Sequence, residues 1–108
     1  HSLMNYFASR RAESIQRAVA EAINELANPE PLITVTGIRL GKSLKSATLF
    51  ITVLPAEKEA DALAFLRRNV RELHDLLHKR VKIGKIDLSF AIDSGEKNRQ
   101  QLDRLTTE

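Results

Sequence analysis

The chain has 108 residues, of which 43% are hydrophobic and 29% charged, and a formal net charge of +3; that is enough for one globular domain with a real core, and too little for two. The absence of cysteine excludes disulfides and thiolate metal sites and fits a reducing cytoplasm. No apolar run approaches the roughly 20 residues that span a bilayer, and the start of the chain lacks the basic-then-apolar pattern of a secretion signal.

One domain over residues 1–108 is expected, with residues 1–4 set aside as an appended or frayed start. Asn5 to Ala27 reads as an amphipathic helix, because Ile15, Val19, Ile23 and Leu26 recur on one face. Asn28-Pro29 stops it, since proline donates no backbone hydrogen bond and pushes its predecessor out of the helical region. Leu32 to Leu40 is rich in β-branched residues and reads as a strand. Its apolar phase switches from Ile33 and Val35 to Ile38 and Leu40 across Gly37, which predicts a bulge there. Gly41 to Ser46 is turn-like. Ala47 to Leu54 is a second strand, with Ala47, Leu49, Ile51 and Val53 on one face and Thr48, Phe50, Thr52 and Leu54 on the other. The short connection makes the pair an antiparallel hairpin.

Pro55 suits the opening of the next helix. Leu63, Leu66, Val70, Leu73 and Leu77 then give the clearest periodicity in the chain and predict one helix to about Arg80. Gly84 marks a turn. Ile86, Leu88, Phe90 and Ile92 alternate as a third strand, which Asp93-Ser94-Gly95 closes. Residues 96–108 are polar, with Leu102 and Leu105 as the only apolar anchors, and read as a short helix or a frayed tail. The order helix-strand-strand-helix-strand predicts an α+β two-layer sandwich, with two helices on one face of a three-stranded sheet. After its helical crossover the third strand is expected to run parallel to the second and to pair with the first.

Charge is unevenly spread. Up to Leu66 basic and acidic residues balance, whereas Arg67 to Lys85 holds Arg67, Arg68, Arg71, Lys79, Arg80, Lys82 and Lys85 against only Glu72 and Asp75. Such a segment is a footprint for a polyanion, or else a solvated helix end where cations suit the macrodipole.

Three stretches together carry a family resemblance. Arg11-Ala12-Glu13-Ser14-Ile15 followed by Ala18-Val19-Ala20-Glu21-Ala22-Ile23 forms the first. Ile33 to Leu40 with Leu44 and Ser46 to Leu54 forms the second. Leu77-His78-Lys79-Arg80 with Ile86 to Phe90 and Asp93 forms the third. In this combination the chain resembles the ribosome-binding factor A family, whose fold is that of the type II KH domains. The resemblance implies a factor that binds the immature small ribosomal subunit and its rRNA late in maturation. A cytoplasmic monomer with no cofactor is expected. The family's Ala-x-Gly kink in the second long helix is replaced by Asn69-Val70-Arg71, which leaves open whether that helix is kinked or straighter. The Gly-x-x-Gly loop of ordinary KH domains is absent, and with it the usual grip on four nucleotides.

The residues expected to meet RNA are Arg67, Arg71, His74, His78, Lys79, Arg80, Lys82 and Lys85, with Lys42 and Lys45 at the hairpin tip as a secondary site. His74 and His78 lie one helical turn apart, but no third ligand stands at a metal-binding spacing. No serine lies in a nucleophile-elbow context, and Gly41-Lys42-Ser43 lacks the upstream glycine of a phosphate loop. An enzyme is therefore not expected. Aromatic residues are few, so phosphate and shape recognition is a better expectation than base stacking. The competing reading is a protein-interaction module that uses the sheet face of Thr48, Phe50, Thr52 and Leu54 and binds no RNA.

Overall fold

The computed structural model describes residues 2–26, 31–41, 45–81 and 84–95, with side chains from Arg10 onward. Helix α1 spans Ser2–Leu26, starting three residues before the expected Asn5. Ile15, Ala18, Val19, Ala22 and Ile23 are all buried along one stripe, as a 3.6-residue repeat requires. The expected stop at Asn28-Pro29 lies outside the described residues.

Strands β1 (Leu32–Leu40) and β2 (Ser46–Leu54) form the antiparallel hairpin. Val35 faces Ile51 and Gly37 faces Phe50, so Thr36 is the extra residue of a bulge. The bulge does what the phase switch requires: Ile38 and Leu40 end opposite Leu49 and Ala47, on the same face as Ile33 and Val35. Gly41 closes the hairpin by donating its N–H to the Ser46 carbonyl at 2.8 Å. A side chain at Gly41 would collide with the Ser46 hydroxyl.

The Leu54–Pro55 peptide is cis. A single 3-10 turn over Ala56–Lys58 then leads into α2 (Glu59–Arg68), and α3 (Val70–Arg80) follows. The single helix expected here is thus corrected: it is broken at Asn69, and the arm is kinked although no glycine is present. Asn69 adopts φ −107°, ψ 18°. Its amide side chain donates to the Phe65 carbonyl at 2.8 Å, beside its own backbone N–H at 3.1 Å. Packing explains the turn of direction. α2 lies on β2 and β3, whereas α3 leans on α1. Leu66, Leu73 and Leu77 remain buried across the break, which is why the apolar repeat runs through it without a trace.

Strand β3 (Asp87–Ile92) pairs parallel to β2, and the sheet order is β1-β2-β3. The direction is as expected, but the expected pairing of β3 with β1 is corrected. β2 buries Ala47, Leu49, Phe50, Ile51 and Val53, residues from both of its faces. A strand that apolar on both faces belongs at the centre. The crossover helix α2 packs on β2 and sets β3 against its free edge. Gly95, at φ +82°, turns the chain away after β3, and its N–H bonds to Asp93 Oδ1 at 2.8 Å.

The core lies between the sheet and the helices, and among the described residues no polar or charged side chain is fully buried in it. Phe50 has its register on the opposite face, yet it is only 3% exposed. It is flanked by Gly37 and Ala91 on the neighbouring strands. That face therefore offers a partner Thr52 and Leu54 but not Phe50, and the competing interaction surface loses its one aromatic ring.

Candidate nucleic-acid interface

The break at Asn69 divides the basic segment between two helix ends. Arg67 and Arg68 occupy the last turn of α2, and His78, Lys79 and Arg80 the last turn of α3. Unpaired carbonyls give a helix C-terminus partial negative charge, so cations there stabilise the helix by a few tenths to about 1 kcal/mol each. That accounts for five of the residues without any ligand. Arg71 is different. It lies exposed in the first turn of α3, where the dipole disfavours a cation. Helix stability gives no reason for Arg71.

Arg80 is engaged within the fold. Its Nε donates to Glu21 Oε1 at 3.1 Å, and its Nη2 donates to Glu25 Oε1. Both carboxylates lie on α1, so the guanidinium bridges the C-terminal parts of α1 and α3. The Glu25 and Glu21 carboxylates hold the guanidinium even more firmly protonated than usual, against a smaller opposing effect of burial.

His74 is half-buried and accepts the backbone N–H of Ile86 on Nε2, at a long 3.4 Å. The His78 ring stands edge-on to it, with centroids 4.8 Å apart. His74 is thereby a link between α3 and the approach to β3. Among the described residues, no group of three or more metal-ligating side chains comes together.

Topology joins two regions that are far apart in sequence. The Asp87 N–H donates to the Lys45 carbonyl at 2.9 Å, and Ser46 pairs with Asp87. The hairpin residue Lys45 and the exit-turn residue Lys85 thus lead into adjacent strands, both exposed. The basic residues fall into two groups: Arg67 and Arg71 around the helix break, and Lys45 and Lys85 at the sheet end. His78 and Lys79 lie at the end of α3. Lys42 and Lys82 lie outside the described residues. Sequence reasoning missed Asn69 as a helix breaker and Glu21 and Glu25 as partners of Arg80. Asparagine's poor helix propensity was the available signal for the first; a carboxylate pair one turn apart was a weaker signal for the second.

Among the described residues, no helix is long and apolar enough to cross a membrane. The strand order, the bulged hairpin and the broken second helical arm define an α+β two-layer protein of the type II KH-like class, with its basic groups at the helix break and at one sheet end. Residues 8–106 match the family model described as ribosome-binding factor A. The chain belongs to the ribosome-binding factor A family. It is 36% identical over 108 residues to ribosome-binding factor A of Polynucleobacter necessarius subsp. necessarius (strain STIR1), covering 97% of this chain and 88% of that one. The crystal structure of ribosome-binding factor A from Thermus thermophilus superposes with a TM-score of 0.70 at 29% identity, covering 78% of this chain and 92% of that one. A homology model of the Thermus thermophilus factor, fitted into the cryo-EM map of a 30S complex, gives a TM-score of 0.65 at 30% identity. That match covers 75% of this chain and 89% of the other.

Proposed function

We propose that this protein binds the immature small ribosomal subunit through its rRNA and assists late subunit assembly and rRNA maturation, as a cytoplasmic monomer without catalysis or cofactor. Membership of the family supports the partner, as does the 30S complex of the Thermus thermophilus relative. One observation carries the site: Arg71 stands exposed in the first turn of α3, where the helix dipole disfavours a cation. Its cost is offset if a polyanion settles at the break. Arg67 and Arg71 would contact phosphates there, with His78 and Lys79 extending the contact along α3. Lys45 and Lys85 form a second group, to which the undescribed Lys42 and Lys82 are assigned by sequence. His74 and Arg80 act by positioning, through Ile86 and the α1 carboxylates.

A filter-binding salt titration with small-subunit rRNA tests the reading. Each phosphate neutralised steepens the fall of log affinity with log salt by roughly 0.7–0.9. Reversing Arg67, Arg71 and Lys79 to Glu should flatten the slope by about two and weaken binding by roughly 1 kcal/mol or more per site. Unaltered binding by the triple variant would reduce the basic segment to a pair of solvated helix ends.

A further inference from the structure

The face of the sheet turned away from the helices has a chemistry that the helix-borne site does not use. Near the hairpin end, one row runs straight across all three strands: Arg39 on β1, Thr48 on β2 and Ser89 on β3. Arg39 and Ser89 are exposed and Thr48 half-buried. The two hydroxyls are bonded to each other at 3.1 Å. Ser89 also reaches the Ala47 carbonyl, but at 3.5 Å, so a hydroxyl proton is easily redirected to a better acceptor. Beyond this row Lys45 and Lys85 lie exposed at the same end of the sheet, just before β2 and β3, whose starts are joined by the Asp87-to-Lys45 backbone bond. Among the described residues of these strand ends, Asp87 is the one carboxylate, against three cations. Adjacent strands lie about 4.8 Å apart, so the row spreads its donors over roughly 10 Å of nearly flat surface.

A guanidinium, two hydroxyls and two ammonium groups on a flat face with no exposed ring are donors without a stacking platform. They fit the oxygens of a sugar-phosphate backbone and carry no means of reading bases. We infer that the outer-face row of Arg39, Thr48 and Ser89, with Lys45 and Lys85 at the sheet end beyond it, is a second RNA-backbone surface, distinct from the helix break. The inference rests on the RNA-binding reading above and extends it: the protein holds two RNA segments at once, one at the helix break and one at the sheet end.

The test uses the whole chain and a short RNA duplex at low salt, with stoichiometry from sedimentation and the salt slope from filter binding. Wild type should take two duplexes. R39Q/K45Q/K85Q should take one and lose about two units of log–log slope, three contacts at roughly 0.7–0.9 each. R67Q/R71Q/K79Q should also take one, and the combined variant none. Circular dichroism checks that each variant is folded, and R39K in place of R39Q should restore part of the slope. If wild type takes one duplex and R39Q/K45Q/K85Q binds it with the wild-type slope, the second surface does not exist, while the helix-borne site stands. If wild type binds none, the RNA-binding reading itself fails and this inference falls with it.

Discussion

Replacing Asn69 by Ala sets two local effects against one tertiary effect, and their sizes decide the outcome. The substitution removes the 2.8 Å side-chain bond to the Phe65 carbonyl, a net loss of about 0.5–1.5 kcal/mol. It adds a better helix former, worth up to about 0.7 kcal/mol. Local propensity therefore favours fusing α2 and α3 into one straight helix. Fusion would lift α3 from α1 and expose Leu73 and Leu77, which are 1% and 0% exposed in the fold. Each such side chain is worth roughly 1.5–3 kcal/mol. Straightening thus costs several kcal/mol to recover less than one. The break should persist, with a net destabilisation of up to about 1 kcal/mol. In urea unfolding, a loss of half that maximum would lower the midpoint by roughly 0.2–0.5 M at constant m, taking m as about 1–3 kcal/mol per molar. Helical ellipticity should stay unchanged. A variant more stable by about 1 kcal/mol, with stronger helical ellipticity, would mean that Asn69 alone enforces the break and that packing against α1 is not the cause.

Leu73→Ala should cost about 3–5 kcal/mol and lower Tm by more than about 10 °C; a loss below about 0.5 kcal/mol would place that stripe in solvent. Arg80→Ala should lower Tm at low salt and much less near 1 M salt, because its exposed ion pairs are screened. Adding Glu21→Ala and Glu25→Ala to it should do little more, whereas an equal loss at both salts would assign the contact to the packing of the arginine stem. The Thr36 hydroxyl, at 2.5 Å, and the Gly95 N–H hold the Asp93 carboxyl below the usual range, against a smaller opposing effect of burial. Its contribution is therefore complete above the unfolded carboxylate range, near pH 4, and lost as pH falls further through the folded value. Asp93→Asn should remove that acid dependence, about 0.5 kcal/mol or less for a group so exposed; an unchanged pH profile in chemical denaturation would dismiss the linkage.

How much of this was legible in the sequence follows from what each feature depends on. The hairpin, its bulge and the α1 stripe are set by residues within one element or its neighbour, and the switch of phase across Gly37 announced the bulge directly. The break at Asn69 left no mark on the apolar repeat, because Leu66 and Leu73 stay buried on either side of it. Only the competition between the sheet and α1 for the two halves of the arm requires it. Strand order was misjudged because alternation in Ala47 to Leu54 suggests a one-sided strand, while the burial of Phe50 makes β2 two-sided and hence central. The basic segment was visible as composition, but not its division between two helix ends, which decides that Arg71 and not Arg80 is the informative cation. Arg80's partners lie 59 and 55 residues away, beyond any local pattern.

The parallel pairing of β2 with β3 also bears on how the chain reaches this state. The first hairpin closes between neighbours, but the hydroxyl pair that marks the β2–β3 seam joins residues 41 positions apart. Closing that seam costs loop entropy that must be met before its contacts can compensate. A chain emerging from synthesis can form α1 and the hairpin early, yet one edge of its central strand stays open until β3 has followed. Fragments ending before β3 should therefore be the sticky ones, collapsing on their own open strand edge rather than waiting as soluble intermediates.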